Sequence, residues 1–301
     1  MVHLKGFGLI GCASAWALAE RSVPFTWSDT DSAHTAWRAC TGAIYPSASG
    51  RDADGYAAWT RVAKGRPTWW QLTQHASLLE AADYWYCTKA APHGVKGFPV
   101  KQVGPLKQHP VGSFHFNAQA FVTLTRERFQ SSRVEIPAQQ DMTVVSHGFN
   151  DRLRRYVWGW TQLVKLDTTA LGTGTRRPSV YLRRGRVVMA YAYPVAGTPY
   201  WYAGSTLLVQ RTAQEREPGA DVDRWNRRWE ALTEGLLPVV DRVWPVVQGW
   251  RPSTGSVEKE PSQALWERRA DGTLVVMPCW HSGVRWLPLI VEGLLSELGL
   301  R

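Results

Sequence analysis

The chain lacks any run of about 18 apolar residues, so nothing in it reads as a membrane span. Its four cysteines, Cys12, Cys40, Cys87 and Cys279, are scattered. They show neither the short paired spacings of a zinc site nor a disulfide framework. They read as reduced thiols of a cytosolic protein, and no metal is expected. Internal repeats and low-complexity tracts are absent too, which excludes solenoids and arrays. No basic n-region or cleavage site precedes the first apolar residues, so a cytoplasmic location is expected. Acids are in short supply: 25 Asp and Glu face 35 Lys and Arg, leaving a formal charge of +10.

The basic excess is clustered at Arg152, Arg154 and Arg155, at Arg176 and Arg177, at Arg183, Arg184 and Arg186, and at Arg224, Arg227 and Arg228. Such clusters suit a polyanionic partner, because each phosphate contacted releases condensed counterions. They suit a basic solvated surface equally well. Hydrophobic residues are 44% of the 301, enough to bury a core in one large domain or two interlocked ones. The 17 tryptophans are mostly core by this reading, since Trp225, Trp229, Leu232 and Leu236 share one helical face.

What the chain does have is Gly6-Phe7-Gly8-Leu9-Ile10-Gly11, behind the short strand Val2 to Lys5. A small-residue helix follows at Cys12 to Ala19, then a second strand at Val23 to Ser28 and an acid, Asp29. Strand, glycine turn, helix, strand and acid form the dinucleotide fingerprint. Gly6 makes the tight turn, Gly8 lets backbone approach a pyrophosphate, and Gly11 lets helix pack on strand. The helix N-terminus offers unpaired N–H groups to the phosphates, and Asp29 would accept from a ribose hydroxyl.

Further along, Ser32 to Pro46 reads as a loop closing on Gly42, Ala43 and Ile44. Helices are predicted over Tyr56 to Lys64, Trp69 to Thr88 and Ala118 to Arg128, with a Gly- and Pro-rich loop from Pro92 to Pro110. Strand candidates are Val134 to Ile136 and Met142 to Ser146, the second ending in His147-Gly148. Between Tyr156 and Val209 the period is two, which predicts an antiparallel sheet. Asp221 caps a helix reaching about Leu237. A strand at Thr273 to Met277, a turn at Trp280 to Gly283 and a helix from Leu287 to Leu298 close the chain. The expected fold is α/β: a Rossmann-like nucleotide domain from residues 1–50, 130–165 and 245–301, with an inserted antiparallel-sheet (α+β) domain from 51–129 and 166–244.

These motifs, in this order, resemble the FAD-dependent D-amino-acid oxidase superfamily, which includes glycine oxidase and sarcosine oxidase. Gly42-Ala43-Ile44-Tyr45-Pro46 is similar to the segment that runs under the flavin ring there. In flavour it is closest to the FAD half of the bifunctional tRNA wobble-uridine modification enzyme. Phage FAD-dependent lyases that act on glycyl-thymine DNA do similar work. Val144 to Gly148, Gly159 to Gln162, Tyr202 to Thr206, Trp250-Arg251-Pro252 and Ser282-Gly283 each resemble a further family motif. The glycine usual before the last turn is replaced around Cys279-Trp280, and Phe116-Asn117 stands for the typical Asp-Pro.

The resemblance implies an FAD cofactor, and oxidation of the carbon beside an amine. Gly6, Gly8, Gly11, Asp29, Gly42, Ala43, Ile44, His147, Gly148, Ser282, Gly283 and Val284 are the implied cofactor contacts. Arg251 matches the arginine that pairs with a substrate carboxylate in glycine oxidase, a task the guanidinium fork suits. His281 would polarise the flavin edge or cap the helix. Tyr200 and Tyr202 stand where pocket aromatics are placed, though core packing explains them as well. Three functions are open. One is an oxidase of a small free amino acid; another acts on an amino-acid-modified pyrimidine in nucleic acid, DNA rather than RNA; the third is a non-catalytic nucleotide-binding protein. The charge and the loop resemblance favour the second, leaving an aminomethyl base, with Arg154 and Arg184 as phosphate contacts and the host cytoplasm as its place if phage-encoded.

Overall fold

A computed structural model describes residues 1–30, 37–38, 40–46, 50–64, 76–87, 101–135, 142–145, 155–172, 176–184, 187–204, 208–210, 221–253, 265–276 and 284–300. Two sheets organise them. The first comprises β1 (Val2–Lys5), β2 (Phe25–Ser28), β8 (Met142–Val145), β15 (Trp266–Arg268) and β16 (Leu274–Val276), in the order β15-β16-β8-β1-β2. Its neighbours are parallel except for the β15–β16 edge pair. That is the arrangement a helix-crossover fold requires, because parallel neighbours cannot be joined by tight turns.

The helix α1 (Leu9–Glu20) follows the glycine turn and packs against α3 (Ala118–Arg128) and α5 (Leu287–Glu297); α2 (Gly50–Ala63) packs on α5. Leu4, Ala13, Leu18, Trp27, Trp59, Phe116, Val144, Leu274 and Ile290 fill the core between these elements. Parallel strands covered on both faces read as near-continuous apolar runs, and Val2, Leu4 and Val144 are buried accordingly. His3 is the polar exception, and its ring nitrogens lie 3.0 Å from Thr26 Oγ1 and 3.0 Å from Ser28 Oγ. Asn117 caps α3 with its side chain accepting from Ala120 N at 3.0 Å. Pro288 sits in the first turn of α5, where its missing N–H costs nothing.

The second sheet is larger. Its strands are β3 (Ala43–Ile44), β4 (Leu79–Cys87), β5 (Gln102–Val103), β6 (Leu106–Gln108), β7 (Ser113–Phe116), β9 (Arg155–Leu166), β10 (Pro178–Arg184), β11 (Val187–Pro194), β12 (Trp201–Gly204), β13 (Leu208–Gln210) and β14 (Val239–Ser253). The path β13-β9-β12-β11-β10-β4-β6-β5 carries β14 on β9, and β7 joins β3 to β4. Every pair is antiparallel except β4 with β10. One face holds Trp85, Val180, Leu182, Ala190, Ala192, Trp201 and Ala203 against Trp225 and Trp229 of α4 (Val222–Thr233). Asp221 caps α4 by accepting from Arg224 N at 2.8 Å.

Four stretches depart from expectation. Within the expected helix Trp69 to Thr88, the described residues 76–87 are not helical: they form a 3-10 turn at Ala76–Leu78 and then β4. The helical spacing of Leu72, Leu78, Leu79 and Trp85 loses to the β preference of Tyr84-Trp85-Tyr86, which splits between two faces. The expected loop before Pro110 contains the β5–β6 hairpin, turned by Gly104 at φ +53. Val134 only donates to Trp27 O at 2.9 Å, beside a single bridge between Arg133 and Trp27; Ile136 lies outside the described residues. Finally, β14 is a long strand with no alternating signal, broken by two register shifts, and Pro245 falls in the second, where no ladder N–H is needed.

Candidate active site

The glycine turn is tied to β2: Gly6, at φ +93, donates its N–H to Ser28 O at 2.8 Å. Phe7 stacks on Trp27 at 4.1 Å, and Gly8 precedes α1 with its carbonyl accepting the first helical bond from Cys12 N at 2.9 Å. The fingerprint residues Gly6, Gly8, Gly11 and Asp29 therefore converge at one corner. Asp29 is more engaged there than a simple ribose acceptor. Its Oδ2 takes an ion pair from Arg126 Nη2, and its Oδ1 accepts from Thr30 N at 2.9 Å. The Arg126 guanidinium also reaches Phe7 O, at 3.1 Å from Nε and 2.9 Å from Nη2. Each carboxylate oxygen has a second lone pair, so a ribose hydroxyl still finds an acceptor.

Trp37 walls this corner. A Cβ added to Gly8 would lie 3.1 Å from Trp37 Cδ1 and 3.8 Å from its Nε1. The Arg38 guanidinium stands 4.6 Å from the Trp37 ring centroid and that of Arg126 5.4 Å. Trp37 Nε1 and Arg38 Nε are both buried and make no hydrogen bond. Two buried donors without partners, one of them on the indole that faces Gly8, fit a diphosphate. Neither Trp37, Arg38 nor Arg126 stands out in the sequence; only the proximity of Trp37-Arg38 to the acid at Asp29 hints at them.

The next residues lead to a second corner. Gly42, at φ +63, accepts from Phe116 N at 3.0 Å, and Ala43 and Ile44 form β3 against His115 and Phe114. Tyr45 then stacks on Tyr84 at 5.8 Å and meets Tyr181 at 6.0 Å. The Arg285 guanidinium lies 4.1 Å from the Tyr45 centroid, which brings the segment at Val284 to the one at Gly42. That contact is braced by α2: Asp52 pairs with Arg285 Nη1 and accepts from Trp286 Nε1 at 2.7 Å, while Trp59 Nε1 donates to Val284 O at 2.8 Å.

The other face of the large sheet meets this corner and is built of tyrosines. Registers Tyr181↔Tyr191 and Tyr193↔Tyr202 set them on one side, opposite the apolar face packed on α4. Tyr191 and Tyr193 stack at 5.0 Å, Tyr181 and Tyr193 at 6.4 Å, and Tyr193 on His115 at 5.5 Å. Gly204, opposite Tyr191, leaves room for its phenol; a Cβ there would lie 2.4 Å from Tyr191 Oη. Burial pushes the Tyr193 phenol well above its usual range and raises that of Tyr202. Burial, with the Arg177 guanidinium adding, lowers His115 to about 3. The face is therefore aromatic and uncharged, with Arg177 neutralised by Glu80 at 2.8 Å.

Tyr202 links the two corners. Its hydroxyl bonds Gln119 Oε1, whose Nε2 donates to Arg38 O at 2.7 Å and Cys40 O at 3.3 Å. Tyr200 sits elsewhere, its carbonyl taken by Arg177 and its hydroxyl 3.4 Å from Asp241 at the surface. Arg251 lies in β14 opposite Val157 of β9. Arg184 ends β10 opposite Val187. His147, Gly148, Arg154, His281, Ser282 and Gly283 fall outside the described residues. Among the described residues no group of three His, Cys, Asp or Glu is placed to hold a metal, and no helix is long and apolar enough to cross a membrane.

The fold is that of FAD-type oxidoreductases with a nucleotide domain and a sheet insertion. Iminodiacetate oxidase from a Chelativorans species superposes with TM-score 0.70 at 13% identity, covering 99% of this chain and 95% of that one. Glycine oxidase from Geobacillus kaustophilus gives 0.67 at 14%, over 99% and 94%. L-α-glycerophosphate oxidase from Mycoplasma pneumoniae, solved with FAD bound, gives 0.67 at 11%, over 100% and 94%. No protein-family profile and no curated protein sequence matches the chain.

Proposed function

We propose that the chain is an FAD-dependent oxidoreductase that oxidises the carbon–nitrogen bond of a glycine-like amine carried on an amino-acid-modified pyrimidine in DNA. One observation carries the cofactor reading: Trp37 lies against Gly8 and, a few residues on, Tyr45 stacks on Tyr84, so one short segment leads from the glycine turn to the aromatic corner. An elongated dinucleotide with a flat ring at its far end suits that path. FAD, when bound, supplies the acceptor for a hydride. The amine R–NH–CH2–COO⁻ loses that hydride and a proton to become an imine; water then splits it to R–NH2 and glyoxylate. The likeness of fold to glycine oxidase and iminodiacetate oxidase supports an amine of this kind.

The protein's part is orientation. Gly42, Ala43 and Ile44 would back the ring, and Val284, just ahead of α5, would lie at its edge; Ser282, Gly283 and His281, outside the described residues, are the further contacts that the resemblance implies there. The dipole of α5 favours negative charge there. Arg251 pairs with the substrate carboxylate. The uncharged tyrosine face adds no competing anion. The +10 charge supports a polyanion, with Arg154 and Arg184 as phosphate contacts. A base within a duplex must first be flipped out, at a few kcal/mol.

The free-amino-acid reading is favoured by two of the neighbours, named as iminodiacetate oxidase and glycine oxidase. Anaerobic flavin reduction separates the two, with glycine, sarcosine and a glycyl-modified thymidine oligonucleotide compared across salt. A polymer substrate held by about four phosphate contacts should show a log–log salt slope near −3 to −4. Reduction by free glycine, and none by the oligonucleotide at low salt, would return the protein to the amino-acid oxidases. Arg251→Ala should lower kcat/KM for the true substrate by about 2–4 kcal/mol, and Arg251→Lys should recover little. Undiminished turnover in the alanine variant would remove Arg251 from the site.

A further inference from the structure

We propose that the turn Trp37-Arg38 is a diphosphate clamp, with the Trp37 indole N–H and the Arg38 Nε–H as its donors. The inference rests on the FAD reading and adds residues that the glycine fingerprint does not contain. Trp37 presents its pyrrole edge to Gly8, with Cδ1 and Nε1 the nearest atoms to a Cβ built there. Both donor atoms are buried and make no hydrogen bond, a costly state that a charged acceptor relieves. The turn is fixed rather than loose: Cys40 N donates to Trp37 O at 3.2 Å, and Gln119 Nε2 holds Arg38 O at 2.7 Å.

Charge agrees with this assignment. The guanidinium groups of Arg38 and Arg126 flank the Trp37 ring, and Asp29 offsets only one of them. The N-terminus of α1 adds partial positive charge at the same place. A dinucleotide's diphosphate brings two negative charges and oxygens enough for both donors. The acidic residue of the fingerprint, meanwhile, is held by Arg126 rather than standing alone. Affinity at this corner therefore comes from the phosphates more than from the ribose.

The test uses a truncation series of ligands on the full chain, with equilibrium binding as the readout. ADP and adenosine are titrated into wild type, Trp37→Phe and Arg38→Lys, and FAD binding is followed by quenching of flavin fluorescence. Trp37→Phe keeps the ring and loses one donor; Arg38→Lys keeps the charge and loses the Nε–H. Each should weaken ADP and FAD roughly ten- to a hundred-fold, as expected for a hydrogen bond to a charged group. Adenosine should change by no more than about two-fold, whereas a merely structural role would weaken both ligands alike. Equal ADP affinities in wild type and both variants, or parallel losses for ADP and adenosine, overturn the clamp. Tight ADP binding that depends on Trp37, with no FAD binding, sustains the clamp and sinks the FAD reading instead.

Discussion

Protonating His115 works against the fold, and the size of that effect follows from its surroundings. The side chain is wholly buried, opposite Ala43 on β3 and Glu80 on β4, with Nε2 3.1 Å from Ser113 Oγ. Burial and the nearby Arg177 guanidinium lower its pKa to about 3. In the unfolded chain it titrates near 6.5. Between those values the unfolded state binds a proton that the folded state refuses, so stability falls as pH drops below about 6.5. The slope approaches 1.4 kcal/mol per pH unit, or about 2–3 kcal/mol between pH 6.5 and pH 4.5. His115→Phe retains a ring to stack on Tyr193 and carries no proton. Glu20, which burial raises to about 7, pulls in the opposite direction, losing stability as pH rises through that value. It is present in both proteins and cancels in their difference. Urea unfolding of both, from about pH 7.5 to about pH 4.5, should show wild type losing ground on the variant as pH falls. Parallel pH dependence would mean that His115 is solvated or charged in the fold, against the burial described.

Gly42→Ala should cost at least about 3 kcal/mol, because a left-handed backbone is strained for alanine and its Cβ would lie 1.7 Å from Phe116 O. Gly235→Ala is the control: φ is +73 but no atom lies within 4 Å, so it should lose only the conformational part, about 1–2 kcal/mol. Equal losses by urea unfolding would show that β7 yields freely. Arg126→Met should cost about 3–5 kcal/mol, since it strands Asp29, whose side chain is only 8% exposed. Adding Asp29→Asn should recover part of that, and a double-mutant cycle that sums to zero coupling would refute the ion pair.

The legible parts of the molecule were those whose signal is local. Gly6 to Asp29 carries turn, helix, strand and acid within one short stretch, and Asp221 announces α4 through a cap that bonds three residues on. The antiparallel period from Tyr156 onward is local in the same way. What escaped was set by distant partners. β4 is a strand because β10 and β7 pair with it on its two edges, and no helix-spaced leucine records that. β14 forms on β9, some 80 residues earlier in the chain at the Arg242↔Val164 pairing, with a proline in its middle. The site shows the same division. Gly8 and Asp29 are named by their spacing, whereas Arg126 reaches Asp29 across 97 positions and Gln119 joins Tyr202 across 83. Trp37 is an ordinary loop tryptophan until Gly8 is placed beside it. A motif marks where backbone must come close to a ligand, because that demand falls on consecutive residues. The side chains that enclose the ligand answer to space alone, and in this chain they come from α3, from the large sheet and from the loop between.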